Sequence, residues 1–473
     1  MIDKTQEQHY KTRRRIIISF WIVILIGLPF WWKTTEVYRA QLPFTEIEEW
    51  SKWEKFELEF PIDIRLYVAQ TKGKKEGTED YFKDLANIVE NSINNKSVNF
   101  TKYHNKNIKK SIKYPIKIQI LKWEHWGSQN PNTILDLIGK NGQYDFYIMP
   151  GDNNLSSSKV LVGNQRQAIV EISQWNIDAI DKTISDLIIN LFQPEQTAIK
   201  KLLMEQEVVA KVEFDNMRTM KYSPLYQVTF SLLNGNPSTL HVDWDIEQAV
   251  NKFLKPFINK NIVGNNAFLI PRWGGVIINN IDDRSIGNNN NHFFTFEELK
   301  SVMSIFIMQL RGLLGVQDFW GKARLNLDSL INIEFTSPPN TAITMWELDS
   351  LIRRRIAENI DATISTLKSL SQLVTEIPNM VVLDHIQTEV LLALNSLSKS
   401  CDSLKMKRYD VALKHAKEAI ERAESAFFDP TMVSMLYFPD EHKYAIYMPL
   451  FVPISVPLLI ASYREIKGLY PFY

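Results

Sequence analysis

His241, Asp243 and Asp245 form the tightest cluster of potentially reactive side chains in this sequence of 473 residues. The run HVDWD sets one imidazole and two carboxylates at alternating positions. Converging in a pocket, such groups could hold a metal or run acid–base hydrolysis. The other reading is a helix start. Asp243 or Asp245 can cap the helix that follows, and its carboxylate favours the positive helix end. The local sequence favours the cap. Cys401 is the single cysteine. Its neighbours Ser400 and Asp402 lie in a helical pattern, without the strand-to-loop setting of an activated thiol, so a structural role is expected. One cysteine permits no intrachain disulfide and no cysteine-based zinc site, and leaves an interchain bond open. Arg353, Arg354 and Arg355 read as a solvated or partner-facing helix patch. His125 sits among Trp123 and Trp126 and reads as packing near a turn.

The larger motifs of catalysis are absent. There is no GxGxxG, no Walker loop, no HExxH and no GxSxG, and none of the eight histidines is paired at metal-ligand spacing. No catalytic residue, cofactor or metal is therefore expected. Fifty-four basic residues balance fifty-four acidic ones, which argues against nucleic acid as a partner. The lysines between Lys72 and Lys122 read as solvated surface.

The elements that would position these residues fall into two kinds. Over 57–343 the pattern is α/β. Pro61–Ala69, Tyr114–Trp123 and Tyr144–Met149 read as strands, with helices at Tyr81–Ile93 and Thr133–Ile138 between them. Lys159–Val162 and Gln167–Ile172 read as a strand pair joined around Gly163 and Asn164. Ile177–Glu207 is mostly helical. Tyr226–Leu233 reads as a strand, Trp244–Ile258 as a helix, Ala267–Ile278 as a strand and Asp282–His292 as a loop. Thr295 and Glu298 have capping-box spacing at the head of an amphipathic helix, Thr295–Leu314. Over 344–428 the character changes. Met345–Ile377, Asp384–Leu404 and Tyr409–Phe427 read as three long helices of a hairpin or bundle.

Two apolar runs flank these regions. Ile16 to Trp32 holds seventeen uncharged residues, which span roughly 25 Å as a helix. That nearly matches the roughly 27 Å of an endoplasmic reticulum bilayer. Lys11, Arg13, Arg14 and Arg15 precede the run, and Trp31 and Trp32 close it as an aromatic belt would. The run ends without small residues for signal cleavage, so an uncleaved anchor is expected. A second run, residues 445–462, is followed by Arg464 and Lys467. The expected topology is a cytosolic tail over 1–15, a transmembrane helix over 16–32, a lumenal region over 33–443, a second transmembrane helix over 445–462 and a cytosolic tail over 463–473. Three glycosylation sequons, at Asn95, Asn99 and Asn154, fall in the lumenal segment.

The stretch WWKTTEVYRAQLPF, Trp31 to Phe44, closely resembles the segment after the first membrane span in the PIG-S family. YQVTFSLLNGNP, VDWDIEQAV, FLIPRWGGVIIN, QLRGLLG and YFPDEHKYAIYMPLFVPISVPL resemble the same family, in the expected order, and the likeness covers nearly all the chain. The residue patterns together predict an α/β lumenal domain with a C-terminal helical bundle, anchored by two terminal transmembrane helices, and the layout resembles that of the family: two terminal spans enclosing one large lumenal part. The resemblance implies a non-catalytic scaffold in the GPI transamidase complex of the endoplasmic reticulum, which attaches GPI anchors to precursor proteins. Its partners would be the other subunits, among them the cysteine-protease-like catalytic one, and membrane lipid. Two other classes stay open on the residues alone: a membrane-anchored lumenal hydrolase using HVDWD, and a stand-alone lumenal client-binding protein. In the second run, Pro449, Pro453 and Pro457 form a stripe. It is expected to face another helix of the complex, with Ser455, partner side chains or water meeting the carbonyls that the prolines free.

Overall fold

The protein's structure, a computed structural model, describes residues 4–35, 38–53, 58–70, 83–93, 112–124, 130–151, 158–204, 229–234, 241–258, 291–316, 331–335, 343–377, 380–434 and 440–467. Helix α1 (Lys4–Thr35) carries the first apolar run, and α2 (Phe44–Ser51) follows. Strands β1 (Leu58–Glu59) and β2 (Ile62–Ala69) lead to α3 over 83–93. Then come β3 (Ile112–Lys113), β4 (Ile116–Trp123), the short α4 (Pro131–Leu135) and β5 (Gln143–Pro150). Strands β6 (Ser158–Val162) and β7 (Gln167–Ile172) pass into α5 (Ile177–Met204). Strand β8 (His241–Asp243) precedes α6, which runs from Ile246–Ala249 through a π-turn at Val250–Leu254 to Lys255–Ile258. Strand β9 (Asn291–Phe293) leads into α7 (Phe296–Leu314), and β10 (Ile331–Phe335) precedes α8 (Met345–Glu376). Helices α9 (Asp384–Lys405), α10 (Tyr409–Phe427), α11 (Pro430–Ser434) and α12 (Asp440–Lys467) complete the described chain.

These elements form two compact units. One comprises Met1–Ile47, Ser365–Leu394 and Glu421–Tyr473, the other Glu48–Ile364 and Asn395–Ile420. The second unit is built on a six-stranded sheet in the order β10-β6-β7-β5-β2-β4. Strands β4, β2, β5 and β7 run parallel, while β6 is antiparallel to β7 and carries β10 parallel beside it. Alternation explains the faces. Ile62, Ile64, Leu66 and Val68 are fully buried, whereas Asp63, Arg65 and Tyr67 between them are partly exposed. The apolar face packs with Leu85 and Val89 of α3 and with Ile184, Leu187 and Leu191 of α5. Apolar surface removed from water in this layer stabilises the unit by about 25 cal/mol per Å².

A smaller core in the same unit joins α6, α7 and the first turn of α8 through Leu254, Met303, Leu310, Leu314 and Leu348. Thr295 caps α7 as its spacing predicts: its Oγ accepts from the Glu298 amide, and the Glu298 carboxylate accepts from the Thr295 amide. Gly315 ends that helix at φ 73°, a left-handed value that a Cβ would oppose.

Several expectations change. Residues 229–233, the described part of the strand expected at Tyr226–Leu233, form no regular structure. Asn291 and His292, expected in a loop, lie in β9, which pairs in parallel with β8. The helix expected from Trp244 starts at Ile246, because Asp243 still belongs to a strand. Strand β10 was not expected at all. The strand expected at Ala267–Ile278, the sequons at Asn95, Asn99 and Asn154, and His125 lie outside the described residues.

The three long helices stand within a residue of their expected bounds. On α10, Ala412, Ala416, Ala419, Ala423 and Ala426 recur every three or four positions and are buried. Side chains this small let neighbouring helices approach closely. The turn before α10 closes as a Schellman motif, with the Lys407 amide on the Leu404 carbonyl and the Arg408 amide on the Ser403 carbonyl. Lys407 takes the left-handed position itself, at φ 60°, and its ammonium pairs with Asp63.

Among the described residues, no helix is long and apolar enough to cross a membrane. Helix α1 carries an uncharged run from Ile16 to Trp32, and α12 one from Tyr444 to Tyr463. The two helices touch where the Trp21 indole N–H donates to Ser462 Oγ at 2.8 Å. Ser455 Oγ donates to the Val452 carbonyl at 3.5 Å, which is not one that the prolines release.

Candidate functional site

Among the described residues, Arg353 sits in an extended buried polar assembly, and the expectation of a solvated or partner-facing patch at Arg353–Arg355 is wrong. Consecutive residues on a helix point about 100° apart, so three in a row cannot share one face. Arg353 is fully buried. Its Nε and Nη2 donate to Glu195 of α5 at 2.6 and 2.7 Å, and its Nη1 donates to the Tyr144 hydroxyl at 2.9 Å. Tyr144 donates onward to Asp349 at 3.0 Å. Asp349 also accepts a fork from Arg166 at 2.5 and 2.6 Å. Arg166 spends its remaining donors on the Gly139 carbonyl and Asn141 Oδ1. Two cations and two anions thus share one chain of hydrogen bonds that ties α5, β5, the turn before β7 and α8 together.

The electrostatics follow from burial. Burial alone would lower the Arg353 pKa, but Glu195 and Tyr144 hold it well above its ordinary value. Burial pushes the Tyr144 phenol well above its usual range against the pull of Arg353, with Asp349 adding to the rise. Ion pairs removed from water this completely are held by geometry and full hydrogen bonding.

The other two arginines face the C-terminus of α7. Arg354 Nη1 donates to the Gly315 carbonyl at 3.1 Å, and Arg355 Nη2 to the Leu314 carbonyl at 3.0 Å. Glu358 accepts from both side chains. Free carbonyls and the negative end of the helix dipole make that terminus a cation site. Arg311 of α7 pairs with Glu347, which also completes a capping box with Thr344 at the head of α8. The triplet therefore joins the sheet core to the smaller core, within one unit.

The expected chemistry residues are placed differently. His241 and Asp243 lie on the exposed edge of β8, and Asp243 Oδ1 accepts from the next amide, Trp244. Asp245 is the N-cap of α6, accepting from the Gln248 amide at 2.9 Å. Both carboxylates are thus engaged with local backbone, and of the two residues proposed for the cap, Asp245 is the one that fills it. Among the described residues, no three His, Cys, Asp or Glu side chains are placed to hold a metal. Cys401 is buried on α9, and burial, with Asp402 nearby, pushes its thiol up to about 12. A thiol with that pKa stays protonated near neutral pH and is a poor nucleophile.

In the other unit, the segment after α1 is docked by its backbone. The Ala40 amide donates to the Val382 carbonyl at 2.8 Å, and the Val382 amide to the Tyr38 carbonyl at 3.3 Å. Arg39 Nη2 donates to the Val374 carbonyl in the last turn of α8. Tyr38 donates to Asp384 at 2.6 Å, and Gln387 to the Gln41 carbonyl at 2.6 Å. Leu42 is buried. The YRAQL part of WWKTTEVYRAQLPF thus fastens α1 to the turn between α8 and α9.

Comparison with known proteins places the whole chain. The family model for PIG-S, phosphatidylinositol-glycan biosynthesis class S protein, matches residues 18–260 and 259–470. The GPI-anchor transamidase component PIGS of Rattus norvegicus is 25% identical, over 93% of this chain and 92% of its own. The Bos taurus protein of the same name is 25% identical over 96% and 94%. The GPI transamidase component PIG-S homolog of Schizosaccharomyces pombe is 23% identical over 97% and 84%. With both halves matched by the one model, the chain belongs to the PIG-S family.

Proposed function

We propose that this protein is a non-catalytic scaffold subunit of the GPI transamidase complex of the endoplasmic reticulum. The observation that carries the reading is the likeness to proteins named as components of that transamidase, along more than nine-tenths of this chain and most of theirs. The arrangement of side chains supports a structural rather than a chemical role. The buried cysteine is protonated, the HVDWD carboxylates are engaged with local backbone, and the Arg353–Glu195–Tyr144–Asp349–Arg166 network is buried.

Helices α1 and α12 would anchor the chain, with both ends cytosolic and the bulk lumenal, in the company of membrane lipid. The basic residues outside each apolar run support that topology. The scaffold would hold the lumenal parts of its partners, including the cysteine-protease-like subunit, in register at the membrane. One experiment tests both statements. Protease added to sealed microsomes should trim only the short ends. Mild detergent extraction of the protected chain should then bring down the other transamidase subunits. Digestion of the bulk from the cytosolic side, or a chain that extracts alone, would refute it.

A further inference from the structure

The side of α12 that carries the prolines is turned away from α1. At about 100° per residue, Tyr447, Ser455, Leu458 and Ser462 fall on one side of α12, and all four are half-buried. Ser462 accepts from Trp21 of α1, so this is the side that α1 takes. Pro449, Pro453 and Pro457 are exposed and centre roughly 150° away around the helix. A proline has no N–H and releases the carbonyl four residues before it, here those of Ala445, Pro449 and Pro453. These three also lie opposite α1. Ser455 offers them nothing, since its hydroxyl donates to Val452.

The step that follows rests on the reading of α12 as a membrane span. The Ala445 carbonyl lies at the end of the apolar run, where water can serve it. Those of Pro449 and Pro453 lie deeper, where acyl chains supply no donor. We infer that the proline side of α12 packs against a transmembrane helix of another subunit, one presenting serine, threonine, asparagine or glutamine donors to the Pro449 and Pro453 carbonyls. The match is one of polarity: a pair of carbonyls deprived of their i+4 amide donors, on an otherwise apolar surface, selects a helix with donors at the same depth.

The test uses the assembled complex in microsomes. A benzophenone side chain is placed at Val456 or Ile460, on the proline side, or at Leu458, on the α1 side. Illumination should give adducts with another subunit at least five-fold more abundantly from Val456 and Ile460 than from Leu458, which should link within its own chain. Pro453→Ala with Pro457→Ala restores both missing amides, and should lower that intersubunit adduct several-fold. Adducts with lipid alone, adducts between two copies of this chain, or yields unchanged by the alanines would overturn the inference while leaving anchorage standing. Reaction of a Val456→Cys variant with a membrane-impermeant thiol reagent would overturn anchorage itself, and the inference with it.

Discussion

Arg353→Ala is expected to destabilise the sheet unit by about 3–5 kcal/mol, because it strands the Glu195 carboxylate in a site closed to water. Glu195 is 1% exposed, and both of its carboxylate oxygens accept from Arg353. Tyr144 loses a donor at the same time. Replacing both partners by apolar residues of similar volume, Arg353→Met with Glu195→Leu, should recover most of the loss, since neither charge is then buried. The check is thermal unfolding of the full-length chain in detergent, with the two single variants and the double forming a cycle. If Arg353→Ala unfolds like the parent, the network is not closed as described.

Trp346→Ala should cost a similar amount, about 3–5 kcal/mol, through the cavity it leaves. Trp346 is fully buried. Its ring stacks on Tyr144 at 4.7 Å between centroids and meets Phe146 edge-on at 5.7 Å. Along α8, Trp346, Asp349, Arg353, Ala357 and Ile360 are all buried at helical spacing, so the sheet-facing stripe of this helix is part apolar and part ionic. Trp346→Phe should lose far less. Because Trp346 and Arg353 both touch Tyr144, their effects should fall short of additive when combined. Unfolding followed by near-ultraviolet circular dichroism would show both results. A Trp346→Ala chain as stable as the parent would mean the helix is not seated on the sheet.

The sequence carried the fold better than the site. Strands such as Ile62–Ala69 announce themselves because one face is dry and the other is not, and the period is two. The capping box at Thr295 is a local signal read by local backbone. The same spacing recurs at Thr344 and Glu347, at the head of α8. Strand β10 is five residues long and pairs with a strand more than 160 positions earlier, so nothing near it marks it. Strand β8 has three residues, and its partner lies fifty positions on. The arginine triplet misled for a physical reason. A charge run is normally solvated, and burial becomes tolerable only once Glu195, 158 positions away, is in place. No window of sequence around Arg353 contains that partner. Tyr38–Leu42 stands out in the sequence only by family likeness; its docking depends on the carbonyl of Val374 and the backbone of Val382, which no local pattern connects to it.

The most direct test of the scaffold reading replaces, in one chain, the four residues that the sequence offers as candidates for chemistry: Cys401→Ala, His241→Ala, Asp243→Asn and Asp245→Asn. Asparagine keeps the helix cap, and alanine keeps the buried Cys401 site apolar, so the fold should survive. In cells that depend on this protein for GPI attachment, the variant should assemble with the other subunits and support attachment at the parent rate. An assembled complex that no longer attaches GPI would contradict the account, and would place catalysis on these residues.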